Sequence, residues 1–202
     1  MRLQTLAVSL LASAGLATPI RRDASPAIYA LRLSSPGTPL DGRYLTATPS
    51  PTHPDTTTLG VSSKPQPGGG GENKISFYPV PNEKTGLSEL RTTFSNDGGA
   101  TTLAVVGSNG LLDFAGLADP AAVAVPDGTT VDWTSFRLDA EGAGTVSYAG
   151  PAGGEREVQG GWVAFPSPSG QKGGWNVKWR NDDAWTTQDY LPVRVLYELA
   201  EE

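Results

Sequence analysis

The chain predicts an all-β, single-domain protein: an antiparallel β-sandwich or barrel of about ten to twelve short strands. Three observations carry this. The 202 residues include 25 glycines and 17 prolines, a density that breaks helical interiors and excludes bundles and helical solenoids. Beyond residue 26 apolar and polar residues alternate with a period of two, the spacing that puts one strand face in a core. Clusters of Gly, Pro, Asn and Asp divide these runs into segments of strand length. One domain suits a chain of this size.

The first run shows the pattern: Tyr29, Leu31 and Leu33 fall on one face, with Arg32 on the other. Further strands are expected near 43-47, 57-62, 74-79, 89-94, 101-106, 110-114, 133-138, 144-149, 158-165 and 174-180. The last strand sets Val193, Val195 and Tyr197 against Arg194 and Glu198. Ser108-Asn109-Gly110 signals a tight hairpin, and Asp139 to Gly144 suggests a second. Asp119 to Ala124 is the one place where a helical turn is expected. Flexible surface loops are expected near 46-58, rich in Thr, Ser and Pro, and near 62-73, which contains four consecutive glycines. The first of these is either a proline-stiffened loop or a site of O-linked sugar. No Asn-x-Ser/Thr sequon occurs.

The first 17 residues have the form of a secretory signal peptide. Arg2 supplies the positive start, Thr5 to Ala17 the apolar stretch, and Gly15 and Ala17 the small residues before the cut. A membrane helix needs about 20 apolar residues, and Pro19, Arg21 and Arg22 end this run well short of that. Residues 18-22 then form either a short pro-segment ending in a dibasic site, with Asp23 as the mature start, or a loose terminus with two solvated arginines. Residues 23-202 make up the domain. Losing Arg2, Arg21 and Arg22 would shift the formal charge from -6, with 15 basic and 21 acidic residues, to -9. Such an acidic protein suits neither a phosphate backbone nor an anionic membrane surface.

The chain has no cysteine. In an oxidising compartment small domains usually gain disulfide staples, so this one must hold by its core alone. Thiol catalysis and Cys-ligated metals are excluded. The single histidine, His53, lies in the Pro/Thr-rich segment, a poor platform for a triad whose base must stay within hydrogen-bond reach of its nucleophile. Gly68 to Gly71 lacks the Lys-Ser/Thr of a phosphate loop. No cofactor is implied.

Two carboxylate pairs, Asp182-Asp183 and Glu155/Glu157, invite comparison with glycoside hydrolases, which need two carboxyls facing each other. Adjacent strand residues point to opposite faces, so Asp182-Asp183 fits a surface turn better. A hard cation could use Asp182, Asp183 and Asp189 if their oxygens converged. Trp162, Trp175, Trp179 and Trp185 crowd into one stretch, while Trp133 stands apart. Trp175, Val177 and Trp179 share a face, which is either part of the core or a platform for stacking sugar rings. Trp185 follows Asp182-Asp183-Ala184 in an expected loop and is the best candidate for exposure. A carbohydrate-binding module would use Trp175, Trp179 and Trp185, at least two of them accessible and roughly coplanar.

Two stretches resemble fungal secreted cell-wall proteins of the phialide-development type, a group with antigenic and plant-defence-eliciting members. One is Tyr29 to Ala47, YALRLSSPGTPLDGRYLTA. The other runs from Trp133 to Glu198 and contains WTSFRLDAEG, then Gly161-Trp-Val-Ala-Phe-Pro166, Trp175-Asn-Val-Lys-Trp179 and Asp189-Tyr-Leu-Pro-Val193. The resemblance implies a non-enzymatic, secreted, cell-wall-associated all-β protein whose partner is a wall polysaccharide or a host surface protein, with no catalytic residue to carry over. Members of that group usually carry cysteines where this chain has Phe165 and Tyr190. The resemblance therefore implies that these two aromatics are neighbours replacing a disulfide.

Overall fold

A computed structural model describes residues 26–49, 56–62, 74–92, 101–139, 144–151, 158–167 and 174–200. Fourteen strands follow in chain order: β1 (Tyr29–Ser34), β2 (Thr46–Pro49), β3 (Thr56–Val61), β4 (Ser76–Asn82), β5 (Leu87–Thr92), β6 (Thr102–Ser108) and β7 (Leu111–Leu117) in the first part. The second part holds β8 (Thr130–Asp132), β9 (Phe136–Asp139), β10 (Thr145–Tyr148), β11 (Gly160–Pro166), β12 (Trp175–Asn181), β13 (Leu191–Pro192) and β14 (Arg194–Leu199). Among the described residues there is no helix, and hence none long and apolar enough to cross a membrane. The protein is a single-domain, all-β, antiparallel structure with a barrel core.

Closure follows from the pairings. β5 pairs β4 from Leu87 to Thr92, and on its other edge it pairs β6 at Leu90 and Arg91 and β9 at Ser88. One circuit runs β5–β4–β1–β14–β10–β9 and returns to β5. A second route leaves β5 through β6, β7, β12 and β11 to β13. Only Val193 separates β13 from β14, and its N–H donates to the Trp162 carbonyl at 3.0 Å. Every long strand is thus paired on both edges over part of its length, and the strands paired with a single neighbour, β2, β8 and β13, have two to four residues. Short free edges offer little template for aggregation.

The interior is one continuous cluster. Tyr29, Phe77 and Tyr197 pack together under β1, β4 and β14, with Leu31, Leu33 and Val195 behind them. Across the barrel a chain of rings runs Phe136–Phe114–Trp162–Trp179–Tyr148, and the Tyr148 ring also touches Phe136. Adjacent centroids lie 4.7 to 6.3 Å apart in tilted or edge-to-face geometry, the arrangement aromatic quadrupoles favour. The Trp162 indole donates to the Val146 carbonyl at 2.7 Å, so its polar edge is satisfied inside the core. Backbone approach is closest at Gly60, where an added Cβ would stand 2.0 Å from the Trp175 carbonyl oxygen.

Several expectations change at their edges. Among the described residues the strands number fourteen where about ten to twelve are expected, because very short β8 and β13 add to the count. The strand expected over 133-138 is interrupted. The Asp132 carboxylate accepts from the Thr134 N–H at 2.9 Å and the Thr134 hydroxyl at 3.1 Å, folding a side-chain turn that leaves Trp133 between β8 and β9. Asp119 to Ala124 forms a single turn, in which the Asp119 carboxylate accepts from the Ala121 N–H, and no helix. The loop expected over 46-58 is strand at both ends, where β2 and β3 pair from Thr46↔Gly60 to Pro49↔Thr57. Its middle, and residues 63-73 of the second loop, lie outside the described residues, as do His53, Glu155, Glu157 and the leader through Arg22.

Candidate functional site: the barrel rim around Trp185

Three chain segments meet at the end of β12. The β6–β7 hairpin turns through Asn109 and Gly110, with φ of 54° and 74°, the positive pair that a two-residue hairpin twist requires and that Asn-Gly tolerates. The Gly110 carbonyl accepts from the Asn181 N–H at 2.8 Å. The Gln159 carbonyl, just before β11, accepts from the Asp182 N–H at 3.0 Å. The chain then turns tightly, the Ala184 N–H donating to the Asn181 carbonyl at 3.0 Å, while the Arg180 guanidinium reaches forward to the Ala184 carbonyl at 2.8 Å. Ala184 is buried against Gly110 and Asn181. The residue after this anchor is Trp185, which is 84% exposed.

The contrast with Trp179 is sharp. Trp179 is 4% exposed, packs edge-on against Trp162 and Tyr148, and donates its indole N–H to Asn181 at 2.9 Å. Of the three residues assigned to a stacking platform, Trp179 is a core residue and offers no face to a ligand. Trp175 is half-buried and packs on the core, and Trp185 is the only exposed residue of the three. The platform of several exposed indoles expected of a carbohydrate-binding module thus reduces to one exposed ring. Burying an indole of about 150–250 Å² at ~25 cal/mol per Å² would stabilise a fold by roughly 4–6 kcal/mol. The backbone bonds of Asn181, Asp182 and Ala184 fix the turn that leads into Trp185 without that burial.

Asp182, Asp183 and Asp189 flank Trp185 in the chain and are all exposed, and among the described residues none forms an ion pair. Asp182 and Asp183 sit on one exposed turn, not across a groove, as the strand-neighbour argument anticipated for a poor acid/base pair. Among the described residues no three acidic or histidine side chains gather at a metal position, so the cation cage considered for Asp182, Asp183 and Asp189 does not form.

Beneath the loop the structure brings Phe165 and Tyr190 together. Their centroids are 5.6 Å apart at 49°. Pairing of Ala164 with Leu191 places Phe165 opposite Tyr190 at the next register position, so the adjacency is a consequence of strand register. Lys178 lies 5.8 Å from the Phe165 ring centre and Arg180 lies 5.5 Å from that of Tyr190, while Lys178 also pairs with Asp113 at 2.9 Å. Phe165 is buried, making β11 apolar on both faces through Trp162, Val163, Ala164 and Phe165.

Period-two alternation gives no sign of one buried carboxylate. Asp132 is buried and accepts from Thr134 and from the Tyr148 hydroxyl at 3.1 Å. Burial, and then the Asp132 charge, raise the Tyr148 phenol well above its ordinary range. Ser135 beside it is fully buried with an unpaired hydroxyl. Asp-x-Thr, the local signal of a side-chain turn, could have marked Asp132 as bound to its own backbone. Comparison with protein-family models, with curated proteins and with solved structures finds no match for this chain.

Proposed function

We propose that this is a non-enzymatic, secreted protein associated with a fungal cell wall. One observation carries the reading: the barrel interior is filled by fully buried side chains, among them Phe77, Phe114, Phe136 and a shell of leucines, so what the molecule does it does with its outer surface. The buried carboxylate Asp132 supports this reading, since its oxygens are occupied by Thr134 and Tyr148 and serve the fold. A leader of secretory form, an acidic composition and a core that holds without disulfides fit an extracellular role. The resemblance to phialide-type wall proteins points the same way and extends it to antigenic or elicitor activity at a host surface. Fractionating a producing culture into cells, wall and medium tests the proposal. The protein is expected in the wall fraction with a remainder in the medium, shortened at its N-terminus, and confinement to the cell interior would overturn the reading.

A further inference from the structure

We infer that the rim carrying Trp185 is a binding site for a neutral, β-linked pyranose chain, an inference that rests on the wall-associated reading. The ring is 84% exposed and follows an anchored turn: Ala184 is buried directly before it, and the Arg180 guanidinium and the Asn181 carbonyl hold that turn. A β-linked pyranose in its chair form has equatorial hydroxyls and a flat face of polarised C–H bonds, which complements the electron-rich face of an indole. Hydroxyls around the sugar ring need donors and acceptors. The same rim supplies them from exposed Asn109, Gln159, Asp182 and Asp183, gathered by the backbone bonds Asn181 to Gly110 and Asp182 to Gln159.

The surroundings favour sugar over a protein surface. Among the described residues the other exposed large apolar side chains are Ile28, just before β1, and Leu199, at the end of β14, so Trp185 is the one exposed large apolar residue of this rim, whereas protein interfaces have an apolar centre. Charge selects within the sugars. Asp182, Asp183 and Asp189 lack cationic partners among the described residues and would repel a uronate.

Retention of the full secreted chain on insoluble β-1,3-glucan, on chitin and on cross-linked polygalacturonate is the test, read beside Trp185→Ala and Trp185→Phe, each checked for unchanged thermal unfolding. Wild type is expected to stay on one or both neutral polymers, the two arms telling glucan from amino sugar, and to pass through polygalacturonate. Trp185→Ala should lose at least tenfold of that retention, and Trp185→Phe should recover most of it. Equal retention of Trp185→Ala and wild type overturns the inference while leaving wall association standing, and so does wild type that passes through both neutral polymers yet fractionates with the wall. Wild type confined to the cell interior overturns the wall reading itself.

Discussion

Trp179 and Trp185 lie six positions apart, on β12 and the loop that follows it, and they have opposite fates. Trp179 stands on β12 in alternation with Val177, so strand geometry sends both inward. Past Asn181 alternation stops, because the chain spends its hydrogen bonds on a tight turn and on carbonyls of two other segments. Trp185 is then free of the pleat. The same residue type thus holds the fold where period-two order persists, and is left to solvent where backbone turn bonds replace it.

The largest expected effects lie on the interior side. Trp179→Ala should destabilise by about 3–5 kcal/mol, since it removes two edge-to-face partners and leaves a cavity in the ring chain. Equilibrium urea unfolding measures it, and a loss below ~1 kcal/mol would place the indole outside the core. Phe165→Ala should fall near the lower end of the same range, because Phe165 is 2% exposed yet sits on the outer face of β11, where Tyr190 and Lys178 can partly close over the gap. Replacing Phe165 and Tyr190 together by cysteine should form a bridge in oxidising buffer, seen as a mobility shift on reduction. Free thiols in the folded protein would contradict the β11–β13 register.

Tyr148→Phe should cost about 1.5–3 kcal/mol, because the buried Asp132 carboxylate loses a donor. The same variant sharpens the pH behaviour. Burial raises the Tyr148 phenol in the folded state, so the unfolded chain releases this proton first, near pH ~10, while the folded chain keeps it. Stability is therefore full below about pH 10 and declines as pH rises further, Tyr197 contributing in the same direction. Tyr148→Phe should flatten that alkaline decline. An unchanged slope would assign the alkaline loss to other groups.

Much of this contrast is legible in the residues. Alternation in Tyr29-Ala-Leu-Arg-Leu, in Trp175-Asn-Val-Lys-Trp and in Val193 to Tyr197 identifies β1, β12 and β14 and the face each buries, and Asn109-Gly110 identifies the hairpin. The loop position of Trp185 after two aspartates signals its exposure. What period-two order does not carry is long-range pairing. The single contact Ser88↔Phe136 closes the barrel, and two-residue β13 is too short to show a period. Nor could alternation divide Trp175 from Trp179, since both lie on one face and only the ends of the barrel decide how deep each sits.

If Trp185 serves a ligand and not the fold, as inferred above, the unfolding free energy of Trp185→Ala should barely differ from that of the wild type. A ring 84% exposed, just after a turn fixed by backbone bonds, should change stability by less than about 0.5 kcal/mol when removed. A loss approaching that of Trp179→Ala would show instead that the indole is packed in solution and holds the fold.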